Sequence, residues 1–225
     1  MKKLFCSLLM FFCMNASATY LNGTGVAVND EYIVSAYHVV EQYGNACYLN
    51  RKNNKCHELE IVDFDVDVDL VLLRLKESNK VSLSSCPLMR HEADVGDQVK
   101  SFGYIKPDYE DYETRTLSSR IRALDNVDGV ESFYRISTKL IPGMSGGPLH
   151  NADGEIVGLS KSYSLVEKNV SNVIKSTEVM NMLRNNGVRN EASTNTVSRC
   201  SVIIVSSDVV PYVYYGYKKE ILYEK

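Results

Sequence analysis

The chain has 225 residues, 44% apolar and 24% charged, with 13 Gly, 5 Pro and no Trp. This composition excludes a collagen-like or wholly disordered chain, and the length suits one larger all-β domain or two small subdomains sharing an interface. The formal net charge is −3 and Lys and Arg are spread along the chain, which excludes the basic patch that phosphate neutralisation needs, so no nucleic-acid partner is expected.

From the N-terminus, residues 1–18 read as a secretory signal peptide: Lys2-Lys3 is the positive region, Leu4 to Met14 the apolar run and Ala16-Ser17-Ala18 a small-x-small cleavage site. The mature chain is expected to begin at Thr19. No membrane association is expected after signal removal, because the apolar run is too short to cross a bilayer and no later segment is long enough either. A Sec-type signal delivers the protein to a periplasm or the exterior, where thiols can pair. Of the six cysteines, Cys47, Cys56, Cys86 and Cys200 lie past the cleavage site. Four allow three connectivities; proximity favours Cys47 with Cys56, which leaves Cys86 with Cys200. A zinc site at Cys47, Cys56 and His57 lacks the second close Cys/His pair of a tetrahedral centre.

Short alternating or apolar runs between turn residues then predict an all-β chain. The predicted strands are residues 25–28, 32–35, 46–49, 58–68, 70–75, 98–104, 114–123, 132–136, 148–150 and 155–160, with hairpin turns at Asp128-Gly129 and Asp153-Gly154. In and just after the fourth of these, aspartates at 63, 65, 67 and 69 alternate with Phe64, Val66 and Val68, which fits a strand with one face in water and the apolar residues on the other, turned inward. A calcium loop opening at Asp63 fails, with Val68 where Gly is required and Arg74 where Glu is required. One helix is predicted, Glu178 to Asn186, capped by Ser176 or Thr177 and stopped by Gly187. Residues 189–225 read as a separate tail, a docked hairpin of two β-like runs, Ser201 to Val205 and Val209 to Tyr217, with five tyrosines between Tyr212 and Tyr223.

Three stretches carry chemistry, in the order His, Asp, Ser. IVSAYHVV (33–40) is an apolar strand running into a turn that presents His38. DVDLVLLRL (67–75) places Asp69 at the edge of a buried run, where a carboxylate needs a partner such as an imidazole N–H. PGMSGGPL (142–149) surrounds Ser145 with glycines, a tight turn whose amides can converge on one point. Together they supply a nucleophile, a base that becomes an acid, and a carboxylate that fixes the imidazole tautomer. Asp69 is preferred to Asp67 because the apolar run starts at it, although a one-residue bulge would shift the phase. The same serine motif fits the α/β-hydrolase elbow, but only His150 follows Ser145, too close for that order. Subtilisin order would need an acid well before His38, and Asp30 is too near.

SAYHVV, DLVLL and GMSGGPL, with NADGEIVGL after the serine, resemble the chymotrypsin-fold serine proteases, most closely the bacterial trypsin-like branch that includes the exported HtrA proteases. The similarity runs from about Gly23 to Val188, and residues 88–107 resemble the crossing between barrels in that branch. The resemblance implies two antiparallel β-barrels over residues 19–188, the first to about 100 and the second from about 101, followed by a short helix and the β-like tail. It implies a serine endopeptidase acting on proteins or peptides without cofactor or metal, with His38, Asp69 and Ser145 as triad and the amides of Gly143 and Ser145 as oxyanion hole. The strand from Gly158 to Tyr163, including Lys161, would border the specificity pocket, and Lys139 would lie near its floor, favouring an acidic substrate residue. A catalytically silent homologue that binds peptides is the alternative, and the oligomeric state is open. Departures are Tyr37, where the family usually has a small residue, and Met144, where trypsin has Asp. Met144 cannot pair with an N-terminal amine, so activation by a freed terminus is not expected.

Overall fold

A computed structural model describes residues 20–42, 45–77, 81–107, 111–127, 130–207, 213–215 and 218–220. The expected signal peptide, the Asp128-Gly129 turn and most of the tyrosine-rich run lie outside these residues. The elements in chain order are β1 (Tyr20–Ala27), β2 (Tyr32–Ala36), α1 (His38–Glu41), β3 (Asn45–Asn50), β4 (Lys55–Asp65), β5 (Leu70–Leu75), β6 (Gln98–Ile105), β7 (Glu113–Val127), β8 (Val130–Ile136), β9 (Pro148–His150), β10 (Ile156–Tyr163), β11 (Ser171–Lys175), α2 (Ser176–Asn185), α3 (Val197–Cys200), β12 (Ser201–Ser207), β13 (Val213–Tyr215) and β14 (Lys218–Glu220). They form two closed antiparallel barrels, ordered β1-β12-β3-β4-β5-β2 and β10-β11-β8-β7-β6-β9, with β13 and β14 paired to each other.

The apolar strands read as continuous runs because both faces are covered. Val71 and Leu73 of β5 pack inside the first barrel with Ile33, Val202 and Ile204. Leu70 and Leu72 face a second cluster with Phe102, Tyr104, Ile156, Leu159 and Val179, which joins the two barrels. Alternate residues of one strand therefore serve two cores. The second barrel closes over Val99, Ile121, Tyr134, Ile136, Leu149, Val157 and Val173.

Three expectations need correction. Residues 201–207 are not one arm of an appended hairpin: β12 lies between β1 and β3, with Gly23 opposite Ile204 and Val205 opposite Cys47. The first barrel thus draws its sixth strand from beyond the second, because β1 and β3 each offer an unpaired edge that only this segment fills. Phe64 and Val66 are exposed rather than inward. β4 has a register shift between Ile61 and Asp63 and ends at Asp65, whose carboxylate caps the amides of Asp67 and Val68; Phe64 instead stacks on Tyr37 at 4.7 Å. The helix starts at Ser176, two residues earlier than predicted, with Lys175 as cap, and the Ser176 hydroxyl donates to the Met89 carbonyl at 3.0 Å rather than capping. The strand β11 just before it escaped prediction, since only Val173 and Ile174 are apolar there.

Two disulfides brace the first barrel, Cys47–Cys56 across β3 and β4 and Cys86–Cys200, each with Cα atoms 5.5 Å apart. The second ties the segment between barrels to the entrance of β12.

Buried tyrosines set an alkaline limit. Burial pushes the Tyr134 phenol up to about 12, and Tyr48 and Tyr104 are raised for the same reason. In the unfolded chain these groups ionise near pH 10. The folded state holds its protons longer, so stability is intact below about pH 10 and is lost as pH rises toward about 12. The urea midpoint should fall steeply between about pH 9.5 and 11.5, and Tyr134→Phe should flatten that fall.

Candidate active site

β2 runs along β5 until Ala36 faces Leu70, and the chain then turns into α1 with His38 as its first residue. The residue before Leu70 is therefore beside His38. Asp69 Oδ2 lies 2.8 Å from His38 Nδ1, and Asp69 Oδ1 accepts from the His38 amide at 2.9 Å. The Asp69 carbonyl accepts from the Tyr37 amide at 2.9 Å. One carboxylate thus grips both ring and backbone of one histidine. That assigns the ring proton to Nδ1 and leaves Nε2 as an acceptor. Asp69 has φ of +66°, a left-handed conformation that Asp tolerates better than most residues. Its side chain is 12% exposed and that of His38 is 43% exposed. Asp67 is exposed in the turn, and Asp63 accepts from Asn186 at 2.7 Å.

The second barrel contributes the loop 142–147. Gly143 and Gly146 have φ of +95° and +78°. A Cβ at Gly146 would collide with the Ser35 hydroxyl and the Thr24 carbonyl. Gly146 donates to Ser160 O at 2.6 Å and Ser160 donates back to Gly147 O at 2.7 Å, which ladders the loop onto β10. The Met144 and Gly147 amides also have acceptors within the turn. Among the described residues, the amides of Gly143 and Ser145 donate to no protein acceptor. The Ser145 hydroxyl donates to the Lys161 carbonyl at 3.2 Å, and no hydrogen bond joins it to His38. Gly146→Ala should combine backbone strain with the collision, lowering kcat/KM by about 100-fold or more and reducing thermal stability; a peptidase assay beside a melting curve checks it.

The remaining predicted site residues fall around β10. The Lys161 ammonium lies 4.3 Å from the Phe133 ring centroid. Partial burial lowers its pKa from the ordinary lysine value, against the pull of the Asp69 and Asp65 charges. Lys139 is exposed, with its ammonium 4.8 Å from the ring centroid of Tyr163, itself 40% exposed. Gly158 is buried in the ladder between Leu149 and Lys175, so it packs the sheet rather than bordering an open surface. Sequence reasoning missed Thr24, buried on β1 behind the serine loop; a threonine between Gly23 and Gly25 in the strand YLNGTGVA was its only signal. Among the described residues no cluster of three or more His, Cys, Asp or Glu side chains could hold a metal ion, and no helix is long and apolar enough to cross a membrane.

Two closed six-strand antiparallel barrels, with a His–Asp pair in one and a glycine-bound serine in the other, define the chymotrypsin-like fold. The chain belongs to the trypsin-like peptidase family, whose domain model matches residues 23–159, more than half its length. It is 27% identical over 143 residues to a "Probable periplasmic serine endoprotease DegP-like" of Buchnera aphidicola subsp. Baizongia pistaciae, a match covering 61% of this chain and 30% of that protein. It is 34% identical over 146 residues to the "Magnetosome formation protease MamE" of Magnetospirillum gryphiswaldense, covering 61% of this chain and 18% of that protein. The chain thus spans less than a third of these relatives. Among solved structures, the active form of the Rv3671c protease from M. tuberculosis superposes with a TM-score of 0.60 at 22% identity, over 78% of this chain and 77% of that one.

Proposed function

We propose that this chain is an exported serine endopeptidase, working through His38, Asp69 and Ser145 by way of an acyl-enzyme. The observation that carries the reading is the double grip of Asp69 on His38, together with a serine loop bonded to the first barrel through Thr24 whose Gly143 and Ser145 amides donate to no described protein acceptor. Ser145 Oγ swings from the Lys161 carbonyl to His38 Nε2, which takes its proton as Oγ bonds to the substrate carbonyl carbon. The carbonyl electrons move to oxygen, and the Gly143 and Ser145 amides receive that charge. His38 returns the proton to the leaving amine as the C–N bond breaks, and water repeats the sequence on the ester. Asp69 holds the imidazole ring in place and stabilises the imidazolium.

The periplasmic DegP-like relatives and two disulfides support export to an oxidising compartment through the segment 1–18. Lys161 lies on β10, where its carbonyl accepts from the Ser145 hydroxyl, and the Lys139 ammonium lies over the ring of Tyr163 at the end of that strand, so a peptide lying along β10 should be preferred when it carries Asp or Glu. In a peptide library, acidic residues near the scissile bond should raise kcat/KM by about tenfold over Lys or Arg, and Lys139→Glu should reverse the order.

A fluorophosphonate probe tests the core of the reading, because labelling needs both an activated serine and a formed oxyanion site. The mature protein should label and Ser145→Ala should not. A silent, peptide-binding homologue is the reading that the Ser145–Lys161 hydrogen bond favours; absence of labelling together with peptide binding would establish it instead.

A further inference from the structure

Met144 is apolar and fully buried, so no charge at that position ties down the loop that presents the Gly143 and Ser145 amides. The tie comes from the other barrel. Thr24 on β1 has no exposed surface and directs two donors at this loop. Its amide donates to the Ser145 carbonyl at 2.8 Å, and its hydroxyl donates to the Gly143 carbonyl at 2.8 Å. The same hydroxyl oxygen accepts from the Tyr104 amide on β6 at 2.9 Å, and the Thr24 carbonyl accepts from the Ser35 hydroxyl at 2.9 Å. Every polar group of Thr24 is engaged.

The placement of these bonds matters more than their number. The Gly143 carbonyl shares a peptide plane with the Met144 amide, and the Ser145 carbonyl shares one with the Gly146 amide. The Met144–Ser145 peptide, which carries the Ser145 N–H, lies between those two planes. Fixing the plane on each side fixes the direction of the N–H between them. The Gly143–Met144 plane is held at its carbonyl by Thr24 and at its amide by the Ile141 carbonyl at 3.0 Å; the Gly143 N–H shares its plane with the Pro142 carbonyl, one left-handed glycine away, where alternatives cost little steric energy once the Thr24 bond is lost.

Resting on the peptidase reading above, we propose that Thr24 is a positioning residue for the oxyanion site: its hydroxyl, reaching from the first barrel, sets the Gly143 and Ser145 amides in the orientation that receives the developing negative charge. The residue type suits the task. One oxygen must donate to a carbonyl and accept from an amide, and the β-branch restricts the rotamer that allows both. Val keeps the shape but leaves the Gly143 carbonyl and the Tyr104 amide buried without partners. Ser restores the oxygen on a looser side chain.

The test compares wild type, Thr24→Val, Thr24→Ala and Thr24→Ser of the mature full-length chain in kcat, KM, melting temperature and affinity for a peptide aldehyde, whose adduct with Ser145 places an oxyanion in the site. A misdirected amide is felt in the transition state and not in substrate binding. Thr24→Val should therefore lower kcat by about 10- to 100-fold with KM within about threefold, and weaken the aldehyde by a similar factor. Thr24→Ser should recover most of the loss. Retention of kcat within about twofold in Thr24→Val, a change in KM alone, or no recovery in Thr24→Ser would overturn the proposal. If Thr24→Val does not fold, Thr24→Ala is judged by the same split, and if neither keeps a native melting transition the role is structural and the proposal falls. Wild-type protein without Ser145-dependent turnover would refute the peptidase reading, and this proposal with it, whereas normal kcat in Thr24→Val beside an inactive Ser145→Ala refutes this proposal alone.

Discussion

Ser145→Ala, His38→Ala and Asp69→Asn should each lower kcat/KM by about four to six powers of ten, and the double variant of Ser145 and His38 should be no worse than either alone. The sharpest of these is Asp69→Asn, because the geometry dictates how it fails. The His38 amide requires an oxygen opposite it, so an asparagine must point its carbonyl there and present its NH2 to the ring. His38 Nδ1 then becomes the acceptor, the ring proton moves to Nε2, and the base can no longer take the serine proton. Fold and substrate binding should survive, so KM should change little while kcat collapses. Asp67→Asn, in the exposed turn, should behave as wild type. Full activity in Asp69→Asn with loss in Asp67→Asn would invert the assignment.

The second large effect concerns β12. Ending the chain after Cys200 keeps the Cys86–Cys200 bond but removes Val202, Ile203 and Ile204, all buried. Burying each is worth about 1.5–3 kcal/mol, so the three together approach the entire stability of an ordinary domain, about 5–15 kcal/mol. The loss also unpairs β1 and β3 along their facing edges and removes the Ser206 hydroxyl that donates to the Val39 carbonyl of α1 at 2.8 Å. This truncated chain should show no cooperative melt and should aggregate through the open edges. A chain ended after Ser207 keeps β12 and should melt like the full-length protein. A cooperative transition within a few degrees of full length in the shorter chain would show that the barrel tolerates five strands.

How much of this was legible depended on whether the cause is local. The run LVLL after Asp69, the strand leading into His38 and the glycines around Ser145 each carry their reason in adjacent residues, and the three stretches could be found one by one. The two-barrel architecture came from resemblance to a family, not from the strand pattern. The pairings that shape the site are non-local. Nothing in SVIIVSS reveals that its partners are Tyr20–Val26 and Asn45–Leu49, since any apolar strand could fill that gap. Thr24 is a one-residue signal whose meaning lies in carbonyls 119 or more positions away. The exposure of Phe64 and Val66 was misread because alternation fixes which residues share a face, while a bulge and the end of the sheet decide whether that face is covered.

The position of β12 in the first barrel also orders events in time. During synthesis the chain emerges from its N-terminus, so the segment bearing His38 and Asp69 is out long before Ser201–Ser207. Until then the first barrel has a gap between β1 and β3, a long-range pairing that must wait for the last core strand. The second barrel, whose strands β6 to β11 are consecutive in sequence, can close first. A nascent chain would therefore close its second barrel beside an unfinished first one, and the hold of Thr24 on the serine loop would settle only with the last core strand.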